Sequence, residues 1–345
     1  MAVKTEVFGS ANGKGIRRFV ITTDAGAAVP MEVRLIELGA TIQGIRVKAK
    51  DGRWIETVLH YSGVEAYLAG KSYFGAVCGR NANRISEAEV SIDGNRYSLE
   101  KNEGENNLHS GAEGFHFCIF EGKATGENEV TFIYLSPEME QGFPGTMSVK
   151  VIYSLSSDGE LQITYKMLAD KDTICNLTNH AYFNLNGEGT VLDHELQVAA
   201  DFYTPVDDAL LPTGEILSVK ETAFDLTVPV RLGSRFGEAD EVLPGGYDHN
   251  FVLNKKTATA ADIYSPETGI GIRVSTSLPG VQIYAGGGLN NKDISDGKAV
   301  PQFGGVCMET QYFPDSLAHA HFPQPIQKAG TMKVETTVFA YYYAK

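Results

Sequence analysis

The sequence predicts an all-β protein, built as a large antiparallel β-sandwich. Apolar residues alternate with polar residues in many segments, which is typical of strands with one buried face. The 345 residues include 37 glycines, 16 tyrosines and 17 phenylalanines, a composition typical of many strands joined by turns. No fixed-period repeat and no Pro/Ser-rich linker divides the chain, so residues 1–345 are expected to form a single domain.

Two β-hairpins are the clearest predicted elements. In each, two alternating segments flank an Asp-Gly turn: residues 147–155 and 161–167 flank Asp158 and Gly159, and residues 90–92 and 97–99 flank Asp93 and Gly94. Further strands are predicted at residues 17–23, 29–37, 42–48, 130–135, 196–200, 251–253, 270–277 and 332–343. Short helices are expected only at residues 63–69 and 257–261. In such a protein we expect the functional groups to lie in the polar segments between strands.

Charge and composition exclude several classes of partner. Lys and Arg total 29 against 43 Asp and Glu, a net charge of −14, which disfavours binding to nucleic acid or to an anionic membrane. No run of about 18 apolar residues is present, and the first residues lack the apolar region of a secretory signal. The four cysteines are widely spaced and are expected to be reduced thiols, so we expect a cytoplasmic protein.

Two polar segments precede the middle of the chain. Residues 79–85 contain Arg80, Asn81, Asn83 and Arg84, whose many donors suit hydroxyls or a carboxylate. A solvated charged loop is the alternative. Residues 106–111 place His109 before Ser-Gly, which indicates a tight turn that holds an imidazole, either for binding or as a structural turn.

Three further segments combine polar and apolar residues. Residues 176–185 interleave three asparagines and His180 with apolar residues near a strand end, and buried amides are costly without partners, so a polar site is favoured. Asp248 lies between aromatic residues. Glu309 lies in apolar surroundings that would raise its pKa and suit a general base. A salt-bridged carboxylate remains the alternative for Asp248 and for Glu309.

Metal and nucleotide sites are not expected. His319 and His321 form an HxH pair to which His180 and His194 could add, but the set has no recognisable ligand order. The run Gly286 to Gly288 fits neither a P-loop nor a dinucleotide fingerprint, and indicates a tight bend or a close backbone approach to a ligand.

Taken in order, the polar segments resemble the aldose 1-epimerase (galactose mutarotase) family. The motifs that carry the resemblance span residues 79–323 and are GRNANRI, NNLHSG, NLTNHAYFNL, GYDHNF, PGVQIYAGG, ETQYFPDS and HFPQP. The resemblance implies a large antiparallel β-sandwich, independently of the strand pattern. It also implies a free monosaccharide as substrate, such as galactose or glucose, and no cofactor.

The resemblance also implies roles for individual residues. His180 would be the general acid that protonates the ring oxygen, and Glu309 the base that takes the anomeric proton. His109 would hold the region of the ring oxygen. Substrate hydroxyls would be contacted by Asn83, Arg84, Asp248 and Gln282.

Several alternatives stay open at this point. A non-catalytic sugar-binding module would not need both His180 and Glu309, and a glycoside hydrolase would pair Asp248 with Glu309. A paralogue acting on a pentose or a sugar phosphate is the third alternative. Differences from the family pattern at Ser110, Ala285, Gly287 and Ala318 leave the preferred sugar open, and the sequence does not choose between monomer and homodimer.

Overall fold

The protein is described by a computed structural model that covers residues 2–23, 26–236, 243, 245–255, 257–291, 294–295 and 297–344. In chain order its strands are β1 (Ala2–Ala11), β2 (Lys14–Thr22), β3 (Met31–Ile36), β4 (Thr41–Lys48), β5 (Trp54–Glu56), β6 (Val77–Cys78), β7 (Arg84–Ile85), β8 (Glu89–Ile92), β9 (Asn95–Ser98), β10 (Asn107–Leu108), β11 (Glu121–Ala124), β12 (Glu129–Ser136), β13 (Met147–Leu155), β14 (Glu160–Ala169), β15 (Thr173–Ile174), β16 (Thr178–Asn179), β17 (Tyr182–Phe183), β18 (Glu195–Val198), β19 (Phe202–Thr204), β20 (Leu217–Ser218), β21 (Val230–Arg231), β22 (Asp248–Val252), β23 (Ala261–Tyr264), β24 (Ile270–Thr276), β25 (Gly280–Tyr284), β26 (Ile294–Ser295), β27 (Lys298–Ala299), β28 (Val306–Gln311), β29 (Ile326–Gln327) and β30 (Lys333–Tyr343).

Helical structure is sparse. One α-helix, α1 (Val64–Ala69), occurs in the described part of the chain. Single 3₁₀ turns occupy Ser86–Ala88, Phe115–Phe117, Glu140–Gly142, Leu232–Arg235 and Ser316–Ala318. None of the helices in the described ranges has the length and apolar character needed to cross a membrane.

Three antiparallel sheets make up most of the fold, and they confirm the predicted all-β antiparallel architecture. The first has the order β1-β2-β3-β4-β5. The second, with nine strands, has the order β11-β12-β13-β14-β30-β24-β23-β18-β21. The third has the order β17-β28-β25-β22-β19-β20. The remaining strands form two-stranded ribbons.

The three sheets share one hydrophobic core. Phe19 of β2 meets Phe132 of β12 edge to face, with ring centroids 5.6 Å apart, which joins the five-stranded and nine-stranded sheets. Phe183 of β17 and Phe339 of β30 lie 5.0 Å apart and join the six-stranded sheet to the nine-stranded sheet. Such aromatic pairs add about 0.5–1.5 kcal/mol each beyond the area they bury.

The strands predicted from alternation are confirmed, with ends that shift by a few residues. In the predicted hairpin at residues 147–167, Val151 of β13 pairs with Tyr165 of β14, and both are buried. Gly159 takes a φ of +86° in the connecting turn, a conformation that glycine adopts without strain. The helix at residues 63–69 is confirmed as α1.

The helix predicted at residues 257–261 is wrong. The Ala260 N–H donates to the Val274 carbonyl oxygen, and β23 begins at Ala261, which pairs with Val274. Ala260 and Ala261 therefore extend an existing sheet, because intrinsic helix propensity, although highest for alanine, is small per residue and is overridden by sheet pairing.

The expectation that functional groups would lie between strands is also wrong for four residues. Arg84 lies in the short strand β7, and the other three lie in the six-stranded sheet: Asp248 in β22, Gln282 in β25 and Glu309 in β28. All six residues of β28 are buried. Because neither face of the strand is exposed to solvent, its sequence shows no alternation of apolar and polar residues. A strand buried on both faces is easily missed by a period-two search.

Candidate active site

A cavity of about 1240 Å³ opens beside the six-stranded sheet. Six of the seven residues singled out in the sequence line it, namely Asn83, Arg84, His109, His180, Asp248 and Glu309. Gln282 is buried and contacts the cavity wall through Asp248, because its Nε2 donates to Asp248 Oδ1 at 2.6 Å. The fold therefore brings together segments that lie far apart in the sequence.

The register of the six-stranded sheet positions the two carboxylates. Asn250 of β22 faces Gln282 of β25, which in turn faces Glu309 of β28. Asp248 lies two residues before Asn250 and projects from the same face of the sheet. Antiparallel pairing thus fixes Asp248, Gln282 and Glu309 relative to one another.

Glu309 is the most deeply buried carboxylate of the cavity, with only 2% of its surface exposed. Burial raises its pKa well above the usual value, the charge of Asp248 adds to this effect, and the charge of Arg84 opposes it. Its Oε2 has no hydrogen-bond partner among the described residues. A buried carboxylate at a cavity wall, with one oxygen free of hydrogen bonds to the described residues, is equipped to exchange a proton with a ligand.

His180 lies beside Glu309, with its Nε2 3.6 Å from Glu309 Oε1. The segment between β16 and β17 holds it: the His180 N–H donates to the Ala76 carbonyl at 2.9 Å, and its own carbonyl accepts from the Gly75 N–H at 2.9 Å. Burial lowers the pKa of His180 to about 4, so its imidazole is neutral near pH 7.

His109 lies next to His180, with ring centroids 5.3 Å apart. The Asn83 backbone N–H donates to His109 Nδ1 at 3.1 Å. Burial lowers the pKa of His109 well below its usual value, and the positive groups around it add to this effect. A neutral imidazole whose Nδ1 accepts a hydrogen bond carries its proton on Nε2, so His109 is a donor at that atom.

The turn predicted at His109 is confirmed. His109, Ser110 and Gly111 have φ values of +50°, +70° and +97°, a run of left-handed residues. Ser110 ties this turn to the neighbouring segment, because its Oγ accepts from the Asn81 N–H at 2.7 Å and donates to the Asn81 carbonyl at 3.2 Å. These bonds hold His109 against the cavity.

The two arginines of residues 79–85 have different functions. Arg84 lines the cavity, forms a bidentate pair with Glu103 at 2.7 and 2.9 Å, and lies 3.8 Å from Asp248 Oδ2. Arg80 is buried on the other side of the segment, where its guanidinium donates to the carbonyl oxygens of Ser136, Pro137 and Pro144. Arg80 therefore anchors the loop and is not available to a ligand.

Tyr73 is a cavity residue that the sequence analysis missed. Its ring stacks on His180 with centroids 5.6 Å apart and lies 4.8 Å from His109. Its φ of +54° is uncommon for a bulky residue. A lone tyrosine before Phe74 gives no periodic signal, and only the three-dimensional contact identifies it.

One cluster of potential metal ligands occurs within the described ranges, and it is the same group: His109, His180 and Glu309 have ligand atoms within 4.8 Å of one another. A metal-bound imidazole normally donates its second N–H to an acceptor. His109 has the opposite arrangement, since its Nδ1 accepts from Asn83 and its Nε2 carries the proton that a metal would have to replace. The surroundings of His109 therefore suit proton donation better than metal binding.

The HxH pair lies away from this group. His319 Nε2 contacts the Pro212 carbonyl at 3.1 Å and His321 Nε2 contacts the Gly214 carbonyl at 2.8 Å. His194 Nε2 accepts from the Leu185 N–H at 2.9 Å. These three histidines hold backbone segments in place.

The chain matches known proteins over nearly its whole length. The family model described as Aldose 1-epimerase matches residues 21–340. A galactose mutarotase of Bos taurus is 39% identical over 351 residues, which cover 99% of each chain. An aldose 1-epimerase of Haemophilus influenzae is 36% identical and covers 90% of this chain and 92% of that protein.

Solved structures agree with these matches. The crystal structure of galactose 1-epimerase from Lactobacillus acidophilus has a TM-score of 0.88 and 26% identity, and 99% of each chain is covered. That of a GalM/aldose epimerase homologue from C. elegans has a TM-score of 0.87 and 27% identity, covering 94% of this chain and 99% of that one. The chain therefore belongs to the aldose 1-epimerase family.

Proposed function

We propose that this protein interconverts the α and β anomers of a free aldose such as galactose or glucose, with Glu309 as the base and His180 as the acid. Family membership makes the chain an isomerase of the mutarotase type. The observation that best supports the assignment of roles is the 3.6 Å separation of His180 Nε2 and Glu309 Oε1, both buried at the wall of one cavity.

The chemistry needs two proton transfers. A cyclic aldose opens when the anomeric hydroxyl loses its proton and the ring oxygen gains one, so that the bond between C1 and the ring oxygen breaks and an aldehyde forms. Glu309 takes the first proton and His180 supplies the second. After rotation about the C1–C2 bond, the reverse transfers close the ring on either face of the aldehyde. A positioned general acid or base typically contributes about 10²–10⁴-fold.

The protonation states of the pair match the two sides of this reaction. The cyclic sugar requires a charged Glu309 and a protonated His180, whereas ring opening leaves both side chains neutral. These two forms hold the same number of protons, and burial of the two side chains favours the neutral one. The positive charge of Arg84 opposes the effect of burial on Glu309 and keeps the charged form accessible.

The remaining polar groups would hold the sugar hydroxyls. Asn83, Arg84 and His109 supply donors, and Asp248 supplies an acceptor. Gln282 belongs to this set through Asp248, whose carboxylate it fixes by the 2.6 Å hydrogen bond. A carboxylate beside a guanidinium can accept from one hydroxyl while the guanidinium donates to its neighbour.

We further propose a single-domain, cytoplasmic enzyme that acts as a monomer or a homodimer and binds neither nucleic acid nor a membrane. The net charge of −14 supports the last point. The hydrophobic core, which includes residues from Phe19 to Tyr341, supports a single domain. All groups assigned to the reaction come from one chain, so the proposal needs no second subunit and no cofactor.

Polarimetry tests the proposal. Freshly dissolved α-D-glucose and α-D-galactose should reach their equilibrium rotation faster with the protein than in buffer alone. A buffer rate with every aldose tried would contradict it. A panel of hexoses, pentoses and hexose 6-phosphates would then identify the preferred sugar, and release of reducing sugar from a glycoside would indicate a hydrolase instead.

A further inference from the structure

Two tyrosine rings lie against the imidazole of His180. The Tyr73 ring centroid lies 5.6 Å from that of His180, with 29° between the ring planes, and the Tyr182 centroid lies 5.1 Å away at 31°. Tyr73 lies in the turn before β6, and Tyr182 is buried in β17. An aromatic ring attracts a cation that lies over its face within about 6 Å of the ring centroid. Both rings are therefore close enough to act on the charge of His180.

The turn at residues 73–76 holds the main chain of His180 as well as its ring. The Ala76 N–H donates to the Tyr73 carbonyl at 3.0 Å, which closes the turn. Gly75 donates its N–H to the His180 carbonyl, and the Ala76 carbonyl accepts from the His180 N–H, both at 2.9 Å. Tyr73 has a φ of +54°, and such a backbone is strained for a bulky residue and clusters at functional sites. A strained tyrosine is thus kept in the turn that holds the proposed acid, which points to a function for its ring.

We propose that Tyr73 and Tyr182 are positioning residues whose ring faces stabilise the protonated imidazole of His180. The inference rests on the proposed function, in which both ring nitrogens of His180 carry a proton before Nε2 delivers one to the ring oxygen of the sugar. An imidazolium is a planar cation with delocalised charge, and the face of an aromatic ring carries partial negative charge. The two tyrosines therefore favour the imidazolium over the neutral imidazole.

Burial alone works against this acid. It lowers the pKa of His180 to about 4 and raises that of Glu309, so the proton that the pair shares prefers the carboxyl group. Ring opening starts from the other arrangement, with a charged Glu309 and an imidazolium. A cation–π contact becomes stronger where water is excluded, and it adds no charge that would neutralise the base. The two rings thus increase the population of the reactive arrangement.

The other titratable groups that face His180 are His109, His116, Asp248, Cys307 and Glu309. Burial lowers the pKa of both histidines and raises that of the thiol, so all three are uncharged near pH 7. The Cys307 Sγ, 3.5 Å from His180 Nδ1, is a weak hydrogen-bond partner in either protonation state. Asp248 favours the charged His180, and the Arg84 guanidinium, 3.8 Å from Asp248 Oδ2, partly offsets this effect. Burial also raises the pKa of Tyr73 and Tyr182, so both rings act as neutral phenols.

The charge on the ring face can be reversed with little change in shape. In the full-length protein, Tyr73→Phe keeps a negative ring face, whereas Tyr73→pentafluorophenylalanine has a positive one. The fluorinated variant should have a kcat about two- to fivefold below that of Tyr73→Phe, with KM little changed, because His180 has given up part of its charge in the transition state. Tyr73→Phe should stay within about twofold of the wild type. The same two replacements at Tyr264, which lies in β23 and does not line the cavity, are the control.

The pKa of His180 provides the second measurement. In Glu309→Gln the imidazole no longer shares its proton with a carboxyl group, so NMR of the ¹⁵N-histidine-labelled protein follows its titration alone, and His180→Asn identifies its signals. In this background the pKa of His180 should be lower by about 0.5 with Tyr73→pentafluorophenylalanine than with Tyr73→Phe. A role of the ring in packing alone would change stability without moving this pKa.

An equal kcat, or an equal pKa of His180, in the two Tyr73 variants would overturn the proposal. A higher KM with unchanged kcat would also overturn it, because the ring would then act on the sugar and not through His180. Loss of activity in Tyr73→Phe would overturn it as well, by assigning the function to the hydroxyl. If the fluorinated Tyr73 variant does not fold, the same two replacements at Tyr182 decide.

Failure of this inference can be told apart from failure of the proposed function. A wild type without mutarotase activity would contradict the proposed function. Normal wild-type activity with two equally active Tyr73 variants would contradict this inference alone.

Discussion

Glu309 and His180 approach within 3.6 Å at the cavity wall, one from the centre of a buried strand and the other from the link between two short strands. The distance is longer than a direct hydrogen bond. The two side chains are therefore close enough to act on neighbouring atoms of one ligand without neutralising each other in a tight ion pair.

The first prediction concerns these two groups. Glu309→Gln and His180→Asn should each lower kcat for mutarotation by at least about 10²-fold, because each removes one of the two proton transfers. KM should change little, since each substituted side chain is similar in shape to the original one. Polarimetry measures both constants, with Glu160→Gln and His321→Asn as controls on exposed residues. Near-normal rates would remove the residue concerned from its proposed role.

The second prediction concerns stability as a function of pH. The pKa of Glu309 is raised in the folded protein above its unfolded value of about 4.5. The protonated form is stabilised by folding, so this contribution is present below pH 4.5 and is lost as pH rises toward the raised pKa. Glu309→Gln removes the titration, so the variant should gain stability relative to the wild type between pH 5 and pH 8.

Urea unfolding at pH 5 and pH 8 checks this. The difference in the free energy of unfolding between Glu309→Gln and the wild type should be larger at pH 8. An equal difference at both pH values would show that Glu309 is charged in the folded protein throughout this range.

The third prediction concerns the glycine run at the cavity wall. A Cβ on Gly287 would lie 1.8 Å from the Gly245 carbonyl oxygen, a backbone atom that cannot move alone. Gly287→Ala should therefore displace the wall, lower stability by about 1–3 kcal/mol and raise KM for the sugar. Gly15→Ala is the control, since no atom lies within 4 Å of its added Cβ. Unchanged KM and stability in Gly287→Ala would contradict the close approach.

The fourth prediction concerns Ser110. Ser110→Ala leaves the buried Asn81 N–H without its 2.7 Å acceptor while keeping a side chain at a φ of +70°, and should cost about 1–3 kcal/mol. Ser110→Gly loses the same acceptor but relieves the backbone, so it should be the less destabilised variant. Thermal or urea unfolding ranks the two. The reverse order would mean that relief of the left-handed backbone at residue 110 contributes little to stability.

Much of the fold followed from alternation in the sequence, but of the six-stranded sheet only the strand at residues 251–253 was predicted. Its strand β28 is buried throughout and β25 nearly so, which removes the alternation that identified β13 and β14. The segments that carry Asp248 and Glu309 were correctly singled out by their polar residues, yet they were placed between strands. Burial on both faces removes the alternation by which a strand is predicted. It also leaves the polar residues of the strand surrounded by apolar ones in the sequence, where they are easily noticed.

Within the site, the sequence could identify the types of residue but not the direction in which each side chain points. Arg80 and Arg84 look equivalent in the sequence, and only the fold directs one to the loop at residues 136–144 and the other to the cavity. Cys307 was included only among the four reduced thiols, yet its Sγ lies 3.5 Å from His180 Nδ1. Its spacing of two residues from Glu309 would have suggested a shared face, had the segment been recognised as a strand.

The buried guanidinium of Arg80 connects one wall of the cavity to the loop at residues 136–144, which does not line the cavity. Through it the segment carrying Asn83 and Arg84 is held by the backbone of residues 136–144. Natural variation in that distant loop would then alter sugar affinity without altering any group that meets the sugar. We therefore expect relatives with identical cavity residues to differ in affinity where this loop differs, and substitutions in the loop to change affinity while Glu309 and His180 stay intact.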